Sequence, residues 1–223
     1  MAALSPFVVA IDGPAASGKG TLARRIAEHF GMAHLDTGML YRAAGFLAIA
    51  AGDDPADPVA AEAAARRVTP ALLADPRLRG EAVARPASVV AAIPGVRQAL
   101  LAFQRGFAAH PPLPARGAVL DGRDIGTVVW PAAPVKLFVT AALEARALRR
   151  FRELQQRGAA AIYANVLQDM KERDARDSSR RDAPLAAASD AVTIDTTTLD
   201  PDAVFERACD LITRALASPP RRH

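Results

Sequence analysis

The sequence predicts an α/β fold, a parallel sheet with helices on both faces. Three observations point to it. Short apolar runs recur at residues 7–11 (FVVAI), 118–121 (AVLD), 135–141 (VKLFVTA) and 191–197 (AVTIDTT). Runs that are continuous rather than alternating belong to strands buried on both faces. Stretches of helical periodicity alternate with them. The first run also opens into a glycine-rich loop followed by an amphipathic helix, a strand–loop–helix unit.

The elements follow in order. Residues 7–11 read as the first strand, with Asp12 closing it. After the small, glycine-rich stretch 14–20, TLARRIAEHF (21–30) places apolar residues at 22, 23, 26, 27 and 30, one helical stripe, and Gly31 ends it. Residues 34–36 close a short second strand. Residues 37–52 form a helix, DDPADP a turn, and 57–67 an alanine-rich helix. The stretch 69–87, with Pro70, Pro76, Gly80 and Pro86, carries no clear element. Residues 88–109 are helical in two pieces divided at Pro94–Gly95. After the loop HPPLPARG come the strands at 118–121 and 135–141. A charged helix spans 143–157 up to Gly158, and a second one spans 162–181. The last strand is 191–197. A closing helix covers 201–217, with Asp200 as N-cap ahead of Pro201, and SPPRRH is a frayed tail.

Composition excludes several classes. At 223 residues, half of them hydrophobic, the chain is one domain with an ordinary core. The single Cys209 allows neither an internal disulfide nor a thiolate zinc site, and the four histidines have no metal-ligating spacing. The first residues lack the basic start of a signal peptide. No apolar stretch approaches the roughly 20 residues of a membrane span. A cytoplasmic protein with no membrane partner is expected. Lysine occurs only at 19, 136 and 171, so 25 of the 28 basic residues are arginine, while net charge is only +4. Most of these arginines reflect general bias. Arg173, Arg176, Arg180 and Arg181 are clustered, and clustered guanidinium groups suit phosphate.

Four segments carry chemistry. Gly13-Pro14-Ala15-Ala16-Ser17-Gly18-Lys19-Gly20-Thr21 matches G-x-x-x-x-G-K, with the hydroxyl displaced one place beyond the lysine. Its glycines let amide N–H groups wrap a phosphate, the helix start adds positive potential, and Lys19 reaches the outer phosphates. The displacement leaves open whether Thr21 touches Mg²⁺ directly, through water, or not at all. Asp36-Thr37-Gly38-Met39-Leu40-Tyr41-Arg42 offers a carboxylate, a hydroxyl, a phenol and a guanidinium at one helix start. Asp121-Gly122-Arg123-Asp124 closes a strand, where Asp121 could hold metal or its water shell. In 173–180, Arg173, Arg176, Asp177 and Arg180 share a face if the helix continues. Each has a plainer alternative: Asp36 as a helix cap, Arg123–Asp124 as a turn salt bridge, and 173–180 as a solvated face with an Arg173–Asp177 pair. An Arg176–Arg180 pair would be unfavourable without an anion.

IDGPAASGKGT, LDTGMLYR, DGRDIGTVVWPAAPVKLFVTA and KERDARDSSR, in this order over residues 1–197, resemble bacterial cytidylate kinases. The last two runs are specific to that family. The resemblance implies a P-loop NTPase-type sheet with a monophosphate-binding insertion and a short lid. One kinase domain, 1–223, would then divide into a core (1–36, 110–156 and 182–217), an insertion (37–109), and a lid with its arginine helix (157–181). Residues 13–21 would bind ATP, and Lys19, Arg123, Arg176 and Arg180 would act in catalysis. Tyr41, Arg42, Arg123 and Arg180 would hold the acceptor's 5′-phosphate. Ser88, Arg97 and Asp124 would read cytosine, and Arg173 and Asp177 would meet the sugar. Thr37 stands where many members have serine. Mg²⁺ would accompany ATP, with Thr21 and Asp121 as candidate ligands. The expected reaction converts ATP and CMP or dCMP into ADP and CDP or dCDP, in a monomer with no stable nucleic-acid partner. Kinases of UMP, AMP or a small alcohol, and a non-catalytic nucleotide- or RNA-binding protein, are the alternatives. Family members often carry a longer insertion where this chain has 69–87, so Ser88 and Arg97 are the carry-over most exposed to change.

Overall fold

The computed structural model describes residues 6–217. The first residues and the tail at 218–223, both read above from sequence, lie outside them. Five strands form one parallel sheet in the order β2-β3-β1-β4-β5: β1 (Phe7–Asp12), β2 (Ala33–Asp36), β3 (Gly117–Gly122), β4 (Val135–Thr140) and β5 (Val192–Asp195). Every strand anticipated in the sequence is present. Strand β1 is central because Val8, Val9, Ala10 and Ile11 are all fully buried and need cover on both faces.

Alternate residues separate the two faces. Val9 and Ile11 of β1, with Val119, Leu137, Val139 and Ile194, pack under α1 (Lys19–Phe30) and α8 (Pro201–Ala217). Val8, Ala10, Leu35 and Leu120 pack on the other face against α5 (Pro94–Ala109) and a wide helical turn, Ile125–Val129. No element is expected at 125–129 from the sequence pattern. Asp12 explains the turn: its buried carboxylate accepts the Ile125 and Gly126 N–H groups at 2.7 and 2.8 Å. Burial pushes its pKa up to about 6 despite those bonds.

Between β2 and α5 the helices α2 (Gly38–Ala50), α3 (Pro58–Arg66) and α4 (Ala84–Val90) enclose a core of their own with α5, around Leu40, Ala44, Ala61, Val90 and Leu100. Alanine is frequent here, so the helices approach closely. Asp57 caps α3, accepting from Val59 N–H ahead of Pro58. The unassigned stretch resolves into three short 3₁₀ turns, Ala71–Ala74, Pro76–Arg79 and Glu81–Val83. Prolines and short apolar spacing permit such turns but give no long-range period to read.

Helices α6 (Leu143–Gln156) and α7 (Tyr163–Ser178) pack on one another through Ala147, Leu154, Val166 and Met170, and also on Ala15 and Ala16 of the glycine-rich loop. Gly158, left-handed at φ 75°, lies between them. Helix α7 ends at Ser178, which fixes the terminus that the sequence leaves open within 162–181, so Arg180 follows the helix rather than sharing its face. Asp200 does cap α8, accepting from Asp202 N–H at 2.7 Å. Among the described residues no single helix is long and apolar enough to cross a membrane.

Candidate active site

The carboxyl ends of β1 and β3 open onto a cavity of about 480 Å³. This is where ligands bind in open parallel sheets. Its floor is the loop 13–18 and the start of α1. Gly13 has φ 152°, and a Cβ there would strike the Val139 carbonyl of β4. Ala16 is left-handed at φ 57° without being glycine, a strained arrangement of the kind found where backbone amides are aimed at a ligand. Thr196 at the end of β5 fixes the loop from below, its hydroxyl donating to Ser17 O at 2.9 Å.

Lys19 begins α1, and its Nζ donates to Pro14 O at 3.1 Å. Burial, with the Arg123 charge second, lowers its pKa to about 7. The free protein therefore holds Lys19 poised between charge states, and an arriving polyphosphate would raise its pKa. The sign follows from linkage: binding is strongest below the free-state pKa and weakens as pH climbs toward the bound one. ATP affinity is expected to fall by up to about tenfold per unit between about pH 7.5 and 9, with proton uptake on binding. Calorimetry in two buffers of different ionisation enthalpy measures both. A flat affinity with no proton uptake would count against this role for Lys19.

Two carboxylates lie beside Lys19. Asp121, at the end of β3, is buried and hydrogen-bonded to His34 Nε2 at 2.7 Å. Its Oδ2 lies 3.7 Å from where a Gly20 Cβ would stand, which places this carboxylate against the start of α1. Asp36 faces the same cleft, its pKa raised by burial and then by Asp121. Asp36 also accepts Gly38 N–H at 2.9 Å, but the cap position of α2 is Thr37, so Asp36 stands one residue ahead of the cap. Thr21 lines the cavity. Thr37 lines it too, but its hydroxyl donates to Asp121 O at 2.9 Å and fastens the start of α2 to β3.

The opposite wall is built on arginine. Arg123 Nε donates to Asp177 Oδ2 at 2.8 Å, and Arg180 pairs with the other oxygen of Asp177. Burial would raise the Asp177 pKa, but Arg123, Arg180 and Arg173 hold it below the usual carboxylate range. The anticipated Arg173–Asp177 hydrogen bond is absent. Arg173 is enclosed, its pKa lowered to about 10 by burial and then by Arg123. The Nε atoms of Arg173 and Arg180 are buried and lack a hydrogen-bond partner among the described residues. The Arg123–Asp124 turn salt bridge is not formed either. Asp124 pairs with Arg97 instead, and Arg97 lies over the Tyr41 ring at 5.5 Å. Ser88 Oγ accepts from Arg176 Nε at 3.2 Å, and Arg42 Nη1 donates to Leu78 O and Gly80 O, both at 3.0 Å. Residues from Ala15 to Arg180 thus line one cleft, and on its arginine wall the buried Nε atoms of Arg173 and Arg180 are without acceptors among the described residues.

A family model described as cytidylate kinase matches residues 9–214. The chain belongs to the cytidylate kinase family. Cytidylate kinases of Paramagnetospirillum magneticum and Rhodospirillum rubrum are 58% and 56% identical to it. Each alignment covers 92% of this chain and 97% of the relative. A solved sugar kinase from Janibacter sp. HTCC2649 shares the fold at a TM-score of 0.50 and 14% identity, covering 95% of this chain and 97% of that one.

Several side chains of this cytidylate kinase site were missed in the sequence. Arg146 is buried, with Nη1 donating to Ala15 O at 3.3 Å and both Nη groups reaching Asp174, at 3.2 and 2.6 Å. It ties the phosphate loop to α7. Arg150 and Glu81 also line the cavity. Arg146 and Arg150, four apart on a helix directly after β4, are the signal in the sequence that points to them. Glu81 had no such signal.

Proposed function

We infer that this chain transfers the γ-phosphoryl group of ATP to the 5′-phosphate of CMP or dCMP. The observation that carries the reading is the pairing of the two walls. A phosphate-binding loop with a buried lysine faces Arg173 and Arg180, whose buried Nε groups lack acceptors among the described residues. Two anionic groups brought end to end between these walls would satisfy both.

The residues divide the work as follows. Amides of residues 13–21 and Lys19 hold the donor phosphates and neutralise charge on the transferred group. Tyr41, Arg42, Arg123 and Arg180 hold the acceptor phosphate, with Arg176 beside it. Its oxygen is already ionised at neutral pH, so no general base is required. Arg173 and Asp177 meet the sugar. Asp124 accepts from the cytosine amino group, while Arg97 and Ser88 address the ring acceptors. Residues 37–109 then form the acceptor unit and 157–181 the lid, with Gly158 at its hinge, and closure keeps water from the γ-phosphate.

Mg²⁺ fits this site. Asp121 adds to the raised proton affinity of Asp36 in the cleft, which a cation beside the two carboxylates would relieve. The described residues contain no cluster of three ligating side chains. That suits a metal held by one or two carboxylates, water and substrate phosphates. Asp121, Asp36 and Thr21 are the residues that would hold it, directly or through water. When bound it supplies positive charge to the phosphates.

The direct test is ADP production from ATP and Mg²⁺ with CMP, dCMP, UMP and AMP in parallel. Turnover confined to CMP and dCMP is expected, and absence of turnover with both sinks the reading. Asp124→Asn is expected to lower the CMP-over-UMP ratio of kcat/KM by about one to two orders of magnitude, because only one acceptor oxygen remains, Arg97 competes for it, and the new NH2 group opposes the cytosine amino group. An unchanged ratio would remove Asp124 from base recognition.

A further inference from the structure

The turn at 76–81 is joined to both sides of the cleft. From α2, Arg42 donates to Leu78 O and Gly80 O. From the end of α6, Arg157 Nη1 donates to Arg79 O at 3.3 Å. Arg150, also on α6, is ion-paired with Glu81. The first and last of these contacts use cavity-lining side chains, since Arg42, Arg150 and Glu81 all face the same space. Burial and the neighbouring Arg150 lower the pKa of Arg42, and Glu81 opposes that shift. Two guanidinium groups on separate helices therefore share the field of one carboxylate supplied by the turn.

We propose that Glu81 sets acceptor affinity by acting as a built-in competing anion on the Arg42–Arg150 side of the cleft. This rests on the phosphoryl-transfer reading above. A monophosphate approaching Arg42 meets a carboxylate of its own sign already in place. It must displace Glu81 from Arg150, or lie beside it. The dianionic phosphate does so because it brings more charge and more acceptor oxygens than a carboxylate. Singly charged anions do not, so Glu81 also keeps the arginines from being occupied by carboxylates and chloride. Glu153 stays on Arg150 in either state, because it sits three residues along the same helix at 2.7 Å.

Glu81→Gln removes the charge and keeps the shape, and its amide oxygen can still accept from Arg150. The Arg42 and Arg157 contacts to the turn are made by backbone carbonyls and remain. The KM for CMP is expected to fall by about two- to fivefold at low ionic strength, the scale of one partly exposed ion pair. The gap between variant and parent should close at about 0.5 M salt, where screening acts within about 4 Å. A purely structural role for Glu81 would not give this salt dependence. Glu62→Gln is the control: Glu62 is paired with Arg66 on α3, outside the cavity, and carries the same charge change. An unchanged or raised KM in Glu81→Gln overturns the proposal, as does an equal fall in Glu62→Gln. A parent enzyme that does not phosphorylate CMP overturns the function itself, whereas an active parent with a KM indifferent to Glu81 overturns this inference alone.

Discussion

Replacing Lys19 by alanine is expected to lower kcat/KM by about a hundredfold to a thousandfold and to leave the melting temperature unchanged or higher. The first half follows from its position. Lys19 is the cation at the start of α1, next to the loop amides, and the transferred group passes through the most highly charged point of its path there. The second half follows from its burial. Lys19 is 9% exposed, and its pKa of about 7 lies far below the ordinary lysine value. A pKa lowered by folding means that the charged form costs the folded state free energy, most fully below pH 7. Alanine removes that cost along with the function. Steady-state ADP production and a thermal melt on the same preparation give both readouts. A variant with near-parental turnover would refute the phosphate-loop assignment.

Asp177→Ala should act in the opposite way, on stability first. Asp177 is 1% exposed and is the carboxylate hydrogen-bonded by both Arg123 and Arg180, with Arg173 close by. Its removal leaves buried guanidinium groups facing each other. Breaking a buried ion pair from one side costs about 3–5 kcal/mol. With solvent reaching the cleft the lower figure is apt, and for a chain of this size it lowers Tm by roughly 6–12 °C. The pH dependence has a definite sign. A carboxylate whose folded pKa lies below the ordinary value stabilises the fold above that ordinary value, and the contribution is lost as pH falls through the folded pKa. The variant should therefore lose less stability on acidification below about pH 4 than the parent. A Tm within a degree of the parent would show that Asp177 does not hold the cluster together. Bound phosphate should restore part of the lost stability, since it replaces the missing anion.

What the sequence disclosed follows from the range of each signal. The inner strands were visible because a parallel sheet buries them on both faces, so FVVAI or VKLFVTA is apolar without interruption; β2, AHLD, lies at the sheet edge and has no such run. The loop 13–21 was visible because its chemistry needs glycines and a lysine at fixed spacing. Tyr41, Arg42, Asp124, Arg173 and Arg180 stood out in their segments, Arg97 only through the resemblance, and all six line one cavity. Their partners were not legible. Local spacing suggested Arg173 with Asp177 and Arg123 with Asp124. The fold pairs Arg123 with Asp177 and Arg97 with Asp124, across 54 and 27 residues. Helical spacing also failed at Arg180, because α7 stops at Ser178 and the chain turns back. Asp12 looked like a strand end, and only the approach of residues 125–126 reveals its two hydrogen bonds. The turns at 71–83 have no periodic signal, and their placement depends on Arg42, Arg150 and Arg157 reaching them from other helices.

The central place of β1 also has a consequence in time. The first strand to be synthesised has no neighbour nearby in the chain. Phe7 pairs with Gly117 on one edge, and Val9 with Val135 on the other. Until those residues emerge, both edges of an apolar strand stay open, the state most prone to wrong association. The phosphate loop waits longer still: Gly13 is seated against Val139, and Ser17 is held by the hydroxyl of Thr196. A loop encoded at the start of the chain is thus finished by residues near its end. Nascent or truncated chains lacking β5 would carry every glycine of the loop and still have no completed seat for a nucleotide.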